Sequence, residues 1–308
     1  MSEIDVTSVG DINVDLITPC IRNLPERDSQ IIIPDIHLSV GGCSANFARE
    51  TSILGMKTRF IGKLGDDLFA AFIRKELEGI DLRVESGGKT GITYAITFDD
   101  NTRSFITYPG ANGELGVDDI NPEFVEGRYL HIASFFLHGL REGTEKLIDY
   151  AHGREMIVSF DTGWDPGGWS AEDISLVKRI LKKVDLFFPN LKEGTAITGA
   201  ESKEDICGNL LDMGPDIVAL KMGSEGSTIA TEKETLFIPP FRVDSVDTTG
   251  AGDVFNAAFI FGHYRGWGME KIGRFANAAA ALSTTGYGNQ AYPGVEGVDE
   301  LMKKAGVI

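Results

Sequence analysis

The sequence predicts a three-layer αβα fold, with a mainly parallel central β-sheet, helices on both faces, and a second, smaller sheet beside it. Three observations carry this expectation. β-like runs alternate with helical stretches along most of the chain. Two stretches, 14–38 and 91–108, break the alternation with β-like runs and no helix between them. At 308 residues and 42% hydrophobic content, the chain is long enough to fill one large core. The expected organisation is a single α/β domain over 1–308, with 14–38 and 91–108 forming a small β-sheet lid.

Residues 4–10 read as a first strand that runs into Asp11-Ile12-Asn13-Val14-Asp15. Strand periodicity puts Asn13 and Asp15 on one side at the strand's C-terminal end. Residues 30–33 read as a β-like run of the small sheet. Gly41-Gly42-Cys43-Ser44-Ala45-Asn46 opens a helix over 46–54, with Ser44 as its candidate cap. A strand at 59–62 leads to a helix over 66–78, whose Leu68, Phe69, Phe72, Ile73 and Leu77 follow a helical period. Residues 92–98 give a further small-sheet strand. Residues 156–160 lead through Asp161-Thr-Gly-Trp-Asp165 and a Pro-Gly-Gly loop into a helix over 171–183. Strands at 185–188 and 217–220, then two C-terminal helices, continue the alternation. Such units wind right-handed and bind ligands outside the C-terminal strand ends.

The chemistry concentrates in Asp247-Thr-Thr-Gly250-Ala251-Gly252-Asp253. Small residues running into a helix start leave backbone N–H groups unpaired at the positive end of the helix dipole, a ready site for phosphate. A carboxylate beside phosphate is repelled unless it has a task, and accepting a proton from an attacking hydroxyl is such a task. The bland reading is an ordinary acidic first turn. Asn13, Asp15, Gly41, Gly42 and Asn46 are candidate contacts for vicinal hydroxyls, against a bland reading of turn chemistry.

Taken together, these motifs resemble the two signatures of the PfkB, or ribokinase-like, carbohydrate kinases, and the resemblance covers nearly all of the chain. Asn190-Leu-Lys-Glu193 looks like the family's Asn-x-x-Glu motif. The resemblance implies a ribokinase-like fold and MgATP-dependent phosphorylation of a primary sugar hydroxyl. Asp253 would be the base, and Gly250, Ala251 and Gly252 the anion hole. Asn13, Asp15, Gly42 and Asn46 would contact sugar. Asn190 and Glu193 would organise Mg2+ and phosphate, largely through water. Lys221, Gly223 and Gly226 match the loop along the nucleotide, and Asn277 an adenine-side position. Asp247 and Thr249, with backbone near Ser283, Gly286 and Gly288, would match a monovalent-cation (K+) site. The lid would close over sugar and pair between two subunits, giving a homodimer. Arg103, on a lid strand, is a candidate substrate contact whose bland reading is a solvated charge.

One place departs from the pattern. Ribokinases proper carry a sugar-contacting Glu after the strand equivalent to 129–133, where this chain has Ser134-Phe135-Phe136. Ribose is therefore in doubt as the acceptor, and the aromatic pair reads as core. A nucleoside kinase would share every phosphoryl-transfer part but would need a wide pocket with an aromatic clamp, for which Phe135 or lid residues are the candidates. A non-catalytic sugar-binding or regulatory protein would not need Asp253, the anion hole and Asn190/Glu193 together.

Composition narrows the alternatives. A formal charge of −17 argues against nucleic acid and acidic membrane surfaces as partners. Three scattered cysteines give neither a disulfide framework nor a metal cluster, so a reducing cytoplasm is expected. The acidic start Met1-Ser-Glu-Ile-Asp is unlike a secretory signal. Gly87-Gly-Lys-Thr90 ends like a P-loop, but Arg83 stands where its first glycine should be. The five histidines lack metal-ligand spacing, and Trp164, Trp169 and Trp267 read as packing residues. Cys43, near a helix start, is expected to have a lowered thiol pKa.

Overall fold

The computed structural model describes residues 3–99, 102–136 and 138–307. Its strands are β1 Val6–Val9, β2 Asn13–Ile17, β3 His37–Gly41, β4 Thr58–Leu64, β5 Asp81–Ser86, β6 Gly91–Thr97, β7 Arg103–Tyr108, β8 Tyr129–Ile132, β9 Ile157–Phe160, β10 Leu186–Phe187, β11 Ile217–Lys221, β12 Ser227–Thr231 and β13 Thr235–Ile238. Its α-helices are α1 Cys43–Ile53, α2 Leu68–Glu76, α3 Thr144–His152, α4 Ala171–Leu181, α5 Leu191–Thr198, α6 Lys203–Leu211, α7 Ala251–Tyr264, α8 Met269–Ser283 and α9 Val295–Lys304.

The large sheet has nine strands in the order β13-β12-β11-β10-β9-β8-β1-β4-β5. All neighbours from β11 to β5 are parallel, and β12 and β13 add an antiparallel edge. Pleating sends alternate side chains to opposite faces. On β1, Val6 packs into the core under α1, α7, α8 and α9, and Val9 into the core under α3, α4, α5 and α6. Both faces of the sheet are therefore dry, as a parallel sheet requires.

The small sheet has four strands, β3-β2-β6-β7. Its register aligns Ser39, Asp15, Thr93 and Thr107 in one polar row, and Leu38, Leu16, Tyr94 and Ile106 in the next, on the opposite face. Residues 100 and 101, between β6 and β7, lie outside the described residues.

Several local expectations need correction. Residues 30–33 form no strand, because β3 already fills the free edge of β2 and Pro25 and Pro34 bracket the run; Ile32 is 89% exposed. Asn13 and Asp15 do not extend the first strand. β1 ends at Val9, and the chain restarts as β2 in the other sheet. Helix α1 begins at Cys43 rather than 46, and α2 at Leu68, where the Asp67 carboxylate caps the Ala70 amide at 3.0 Å. Leu68, at that first position, points to solvent at 88% exposure instead of joining the apolar stripe.

Candidate active site

Helix α7 starts from Gly250, whose left-handed backbone (φ 77°) turns the chain into the helix without a side-chain cap. A Cβ at Gly250 would also strike the Tyr292 hydroxyl. First-turn amides have no partner inside a helix, so those of Gly252 and Asp253 stand at an open, positive helix end. Asp253 is buried there, and the Asn46 side-chain amide donates to its Oδ2 at 2.9 Å. Burial pushes the Asp253 carboxyl up to about 8; the Asp161 and Asp11 carboxylates add to this, while Asn46 and Lys221 oppose it.

Asn46 lies on α1, whose start is built by long-range contacts rather than by Ser44. Gly42 is the N-cap at φ 96°, and its α-carbon lies where any side chain would strike the Asp11 carbonyl. The Asp11 carboxylate accepts from the Cys43 amide at 3.1 Å and the Ser44 amide at 3.0 Å. Next to it, Asn13 donates to Asp15 Oδ1 at 2.6 Å and to Thr93 Oγ1 at 3.3 Å. Gly41 leaves room for the Asp15 carboxylate, which a Cβ there would strike. Burial, then the charge of Asp11, raises Asp15 to about 7. Asn13, Asp15, Gly41, Gly42 and Asn46 thus gather on the side of Asp253 under the small sheet.

On the other side lies a cleft of about 820 Å³ that Lys221, Gly223, Gly226, Asn277, Ala251 and Gly252 all help to line. Lys221 ends β11. Its ammonium donates to Asp161 Oδ2 at 2.5 Å and Asn256 Oδ1 at 3.3 Å, and Asn256 donates to the same Asp161 oxygen at 2.6 Å. A Cβ on Gly252 would sit 3.5 Å from Lys221 Nζ, so the ammonium faces the open end of α7. Burial lowers its pKa, but the Asp161 and Glu193 carboxylates outweigh this and raise it. Asn190 and Glu193 form a reciprocal cap on α5: Asn190 Oδ1 accepts from the Glu193 amide at 2.9 Å, and Glu193 Oε2 from the Asn190 amide at 2.8 Å. Burial and the neighbouring Asp161 raise Glu193 to about 7. Asn277 spends its amide on the carbonyls of Ile238 and Pro239, at 3.1 and 3.0 Å, bracing the cleft wall.

The residues expected around a monovalent cation are arranged differently. Asp247 Oδ1 accepts from the Thr249 amide at 3.0 Å and its hydroxyl at 2.7 Å; Oδ2 accepts from the Gly288 amide at 2.9 Å. Arg103 crosses from β7 to place Nη1 2.6 Å from Thr249 Oγ1 and 3.5 Å from Asp247 Oδ1. The Ser283 hydroxyl turns back to the Ala280 carbonyl at 2.8 Å, while the contribution expected near Ser283, Gly286 and Gly288 is from backbone rather than side chains. Donors already occupy Asp247 Oδ1 and Thr249 Oγ1, and Arg103 brings the positive charge.

Other expectations change too. The Cys43 thiol is pushed well up, not down, by burial and then by Asp253, Asp11 and Asp161. Phe135 and Phe136 are buried, Phe135 edge-on to Phe160, so neither is an exposed ring platform. Trp164 is 55% exposed rather than packed. Sequence reasoning missed Asp11, Asp161, Asn256 and Tyr292. Asn256 was signalled by lying three residues after Asp253 on one helix face, and Asp161 by ending a core strand.

Among the described residues no helix is long and apolar enough to cross a membrane, and no cluster of three or more His, Cys, Asp or Glu side chains could hold a metal by itself.

The chain is 30% identical to an ATP-dependent ribose-1-phosphate kinase of Halopiger xanaduensis, covering 97% of this chain and 98% of that protein. It is 29% identical to a 5-dehydro-2-deoxygluconokinase of Clostridium perfringens, covering 97% and 93%. Its fold matches a ribokinase of Arabidopsis thaliana, solved with ribose and ATP, with a TM-score of 0.81 and 26% identity over 97% of this chain and 99% of that one. Residues 3–294 match the pfkB family carbohydrate kinases. The chain is a ribokinase-like phosphotransferase and belongs to the pfkB family of carbohydrate kinases.

Proposed function

We propose that this protein transfers the γ-phosphoryl group of MgATP to a primary hydroxyl of a monosaccharide or sugar derivative, with Asp253 as the base. One observation carries the reading: Asp253 is buried with its carboxylate between the Asn46 amide, on the polar small-sheet side, and the uncapped start of α7, on the cleft side.

In this reading sugar hydroxyls engage Asn13, Asp15 and Asn46, with Gly41 and Gly42 keeping the backbone close. Nucleotide lies in the cleft along Gly223 and Gly226. Asp253 takes the hydroxyl proton as oxygen attacks phosphorus in line, and the open amides of Gly252 and Asp253 meet the charge in transit. Lys221, held by Asp161 and Asn256, adds a fixed positive charge at the same end of α7. The buried Glu193 carboxylate near Lys221 would organise a divalent ion through its waters, with Asn190 fixing Glu193 through the shared cap. Such an ion would neutralise phosphate charge. The small sheet serves as a lid that excludes water.

Lid pairing between two copies is part of the proposal. Leu38, Tyr94 and Ile106 share one row across the sheet face turned away from Asp15 and are 44, 46 and 62% exposed.

The test is ADP release from MgATP over a panel of ketoses, aldoses, sugar acids, sugar phosphates and nucleosides. A strong response to a sugar or sugar derivative supports the reading; a response to nucleosides alone overturns the acceptor class. The buried Phe135 supplies no clamp for a base.

A further inference from the structure

We propose that Arg103 is a built-in replacement for a monovalent cation, so that this chain works without potassium. The inference rests on the phosphotransferase reading of the site but is tested separately from it. A family resemblance implies a potassium ion at Asp247 and Thr249. The side chains there are arranged for something else.

A carboxylate offers about four lone-pair directions. Three donors converge on Asp247 Oδ1, the Thr249 amide, the Thr249 hydroxyl and Arg103 Nη1, and the Gly288 amide donates to Oδ2. Thr249 Oγ1, a second expected ligand, gives its proton to Asp247 and takes one from Arg103 at 2.6 Å. The carbonyl of Thr284 accepts from the amides of Val246 and Asp247, at 2.7 and 3.1 Å. Ser283 spends its hydroxyl within its own helix. A potassium ion would need free oxygens, and Asp247 Oδ1, Thr249 Oγ1 and the Thr284 carbonyl are already hydrogen-bonded.

The charge balance leads to the same conclusion. Asp247 has a fully buried side chain, and an unpaired buried carboxylate is costly. It stands three residues before Gly250, where its field opposes phosphate at the start of α7. A single positive charge on Asp247 removes both problems. Arg103 supplies that charge from β7, with its guanidinium 5.6 Å from the Phe105 ring centroid. A free ion could enter with the lid open; this cation arrives only when β7 stands over the Asp247 loop. Arg103 is therefore a positioning residue that couples the lid to the anion-binding turn.

The experiment compares wild type, Arg103→Ala and Arg103→Lys in potassium chloride and in tetramethylammonium chloride at matched ionic strength. Turnover and ligand-free melting temperature are both read. Wild type should turn over within about twofold in the two salts and melt at the same temperature. Arg103→Ala should lose about tenfold or more in tetramethylammonium and regain activity with potassium or low millimolar guanidinium. Its melting temperature should rise with potassium, and Arg103→Lys should stay near wild type in both salts. The proposal is overturned if potassium activates or thermally stabilises wild type, or if Arg103→Ala is fully active without potassium. It is also overturned if the Ala variant is inactive and neither salt changes its rate or its melting. Should no acceptor be turned over at all, the melting comparison alone decides, because it needs no substrate.

Discussion

Asn46 and Asp253, 207 positions apart, meet at 2.9 Å and join the two ends of the site. Asn46 sits on the helix that opens from Gly42, and Asp253 on the first turn of α7. The amide holds the carboxylate at the boundary between the polar underside of the small sheet and the cleft of about 820 Å³. It also favours the charged form of a group that burial keeps protonated. From this contact the pH behaviour follows.

A base must be unprotonated to act, and Asp253 stands at about 8 in the ligand-free protein. The value of kcat/KM should therefore rise with pH up to about 8 and then level. Removing the Asn46 bond raises the Asp253 pKa further, so Asn46→Ala should move this limb to higher pH as well as weaken acceptor binding. A pH–rate profile of both proteins checks this. An unmoved limb in the variant would separate Asn46 from the titrating group.

The same carboxylate costs stability. Its pKa is raised from 3.8 to about 8 by folding, so its stabilising share is complete at low pH and is lost as pH climbs through 8. Asp253→Asn should melt higher than wild type, by roughly 1.5 °C for each kcal/mol relieved. The gap should widen from pH 5 to pH 8. Melting curves at several pH values read it directly.

Lys221 and Asp161 form a buried pair, with side chains 14 and 7% exposed. Lys221→Met leaves the Asp161 charge with neutral partners and should destabilise the fold by about 3–5 kcal/mol. The double variant Lys221→Met/Asp161→Asn should recover much of that stability and none of the turnover. Thermal unfolding with parallel rate measurements distinguishes a structural pair from one that also acts on phosphate.

Lid pairing is open to a surface charge. Ile106→Lys puts an ammonium on the exposed apolar row and should raise the dimer dissociation constant by about tenfold or more. Sedimentation over a concentration series measures it. A wild-type protein that stays monomeric throughout would remove the pairing.

Local signals made part of this readable from sequence. The glycine turn and Asp253 share one helix start, and Asn13 and Asp15 share one strand face, so spacing brings each set together, while their roles came from the family resemblance. Short apolar runs alternating with helical stretches placed most strands of the large sheet, since strands buried on both faces carry no period of two. Asp11, Asp161 and Asn256 were hidden because their partners are distant in sequence: Asp11 caps a helix 32 residues on, and Asp161 meets Lys221 60 residues on. The 30–33 run misled because its β-rich composition says nothing of whether a strand edge is free to receive it. Cys43 misled similarly: a helix start lowers a thiol pKa, but here burial and three carboxylates outweigh it.

The most direct test is the turnover of Asp253→Asn against wild type, with MgATP and the best acceptor from the panel. Loss of about 10²–10⁴-fold in kcat, with acceptor affinity within a few-fold of wild type, is the predicted result. Near-normal kcat in a correctly folded Asp253→Asn protein would contradict the assignment of Asp253 as the base.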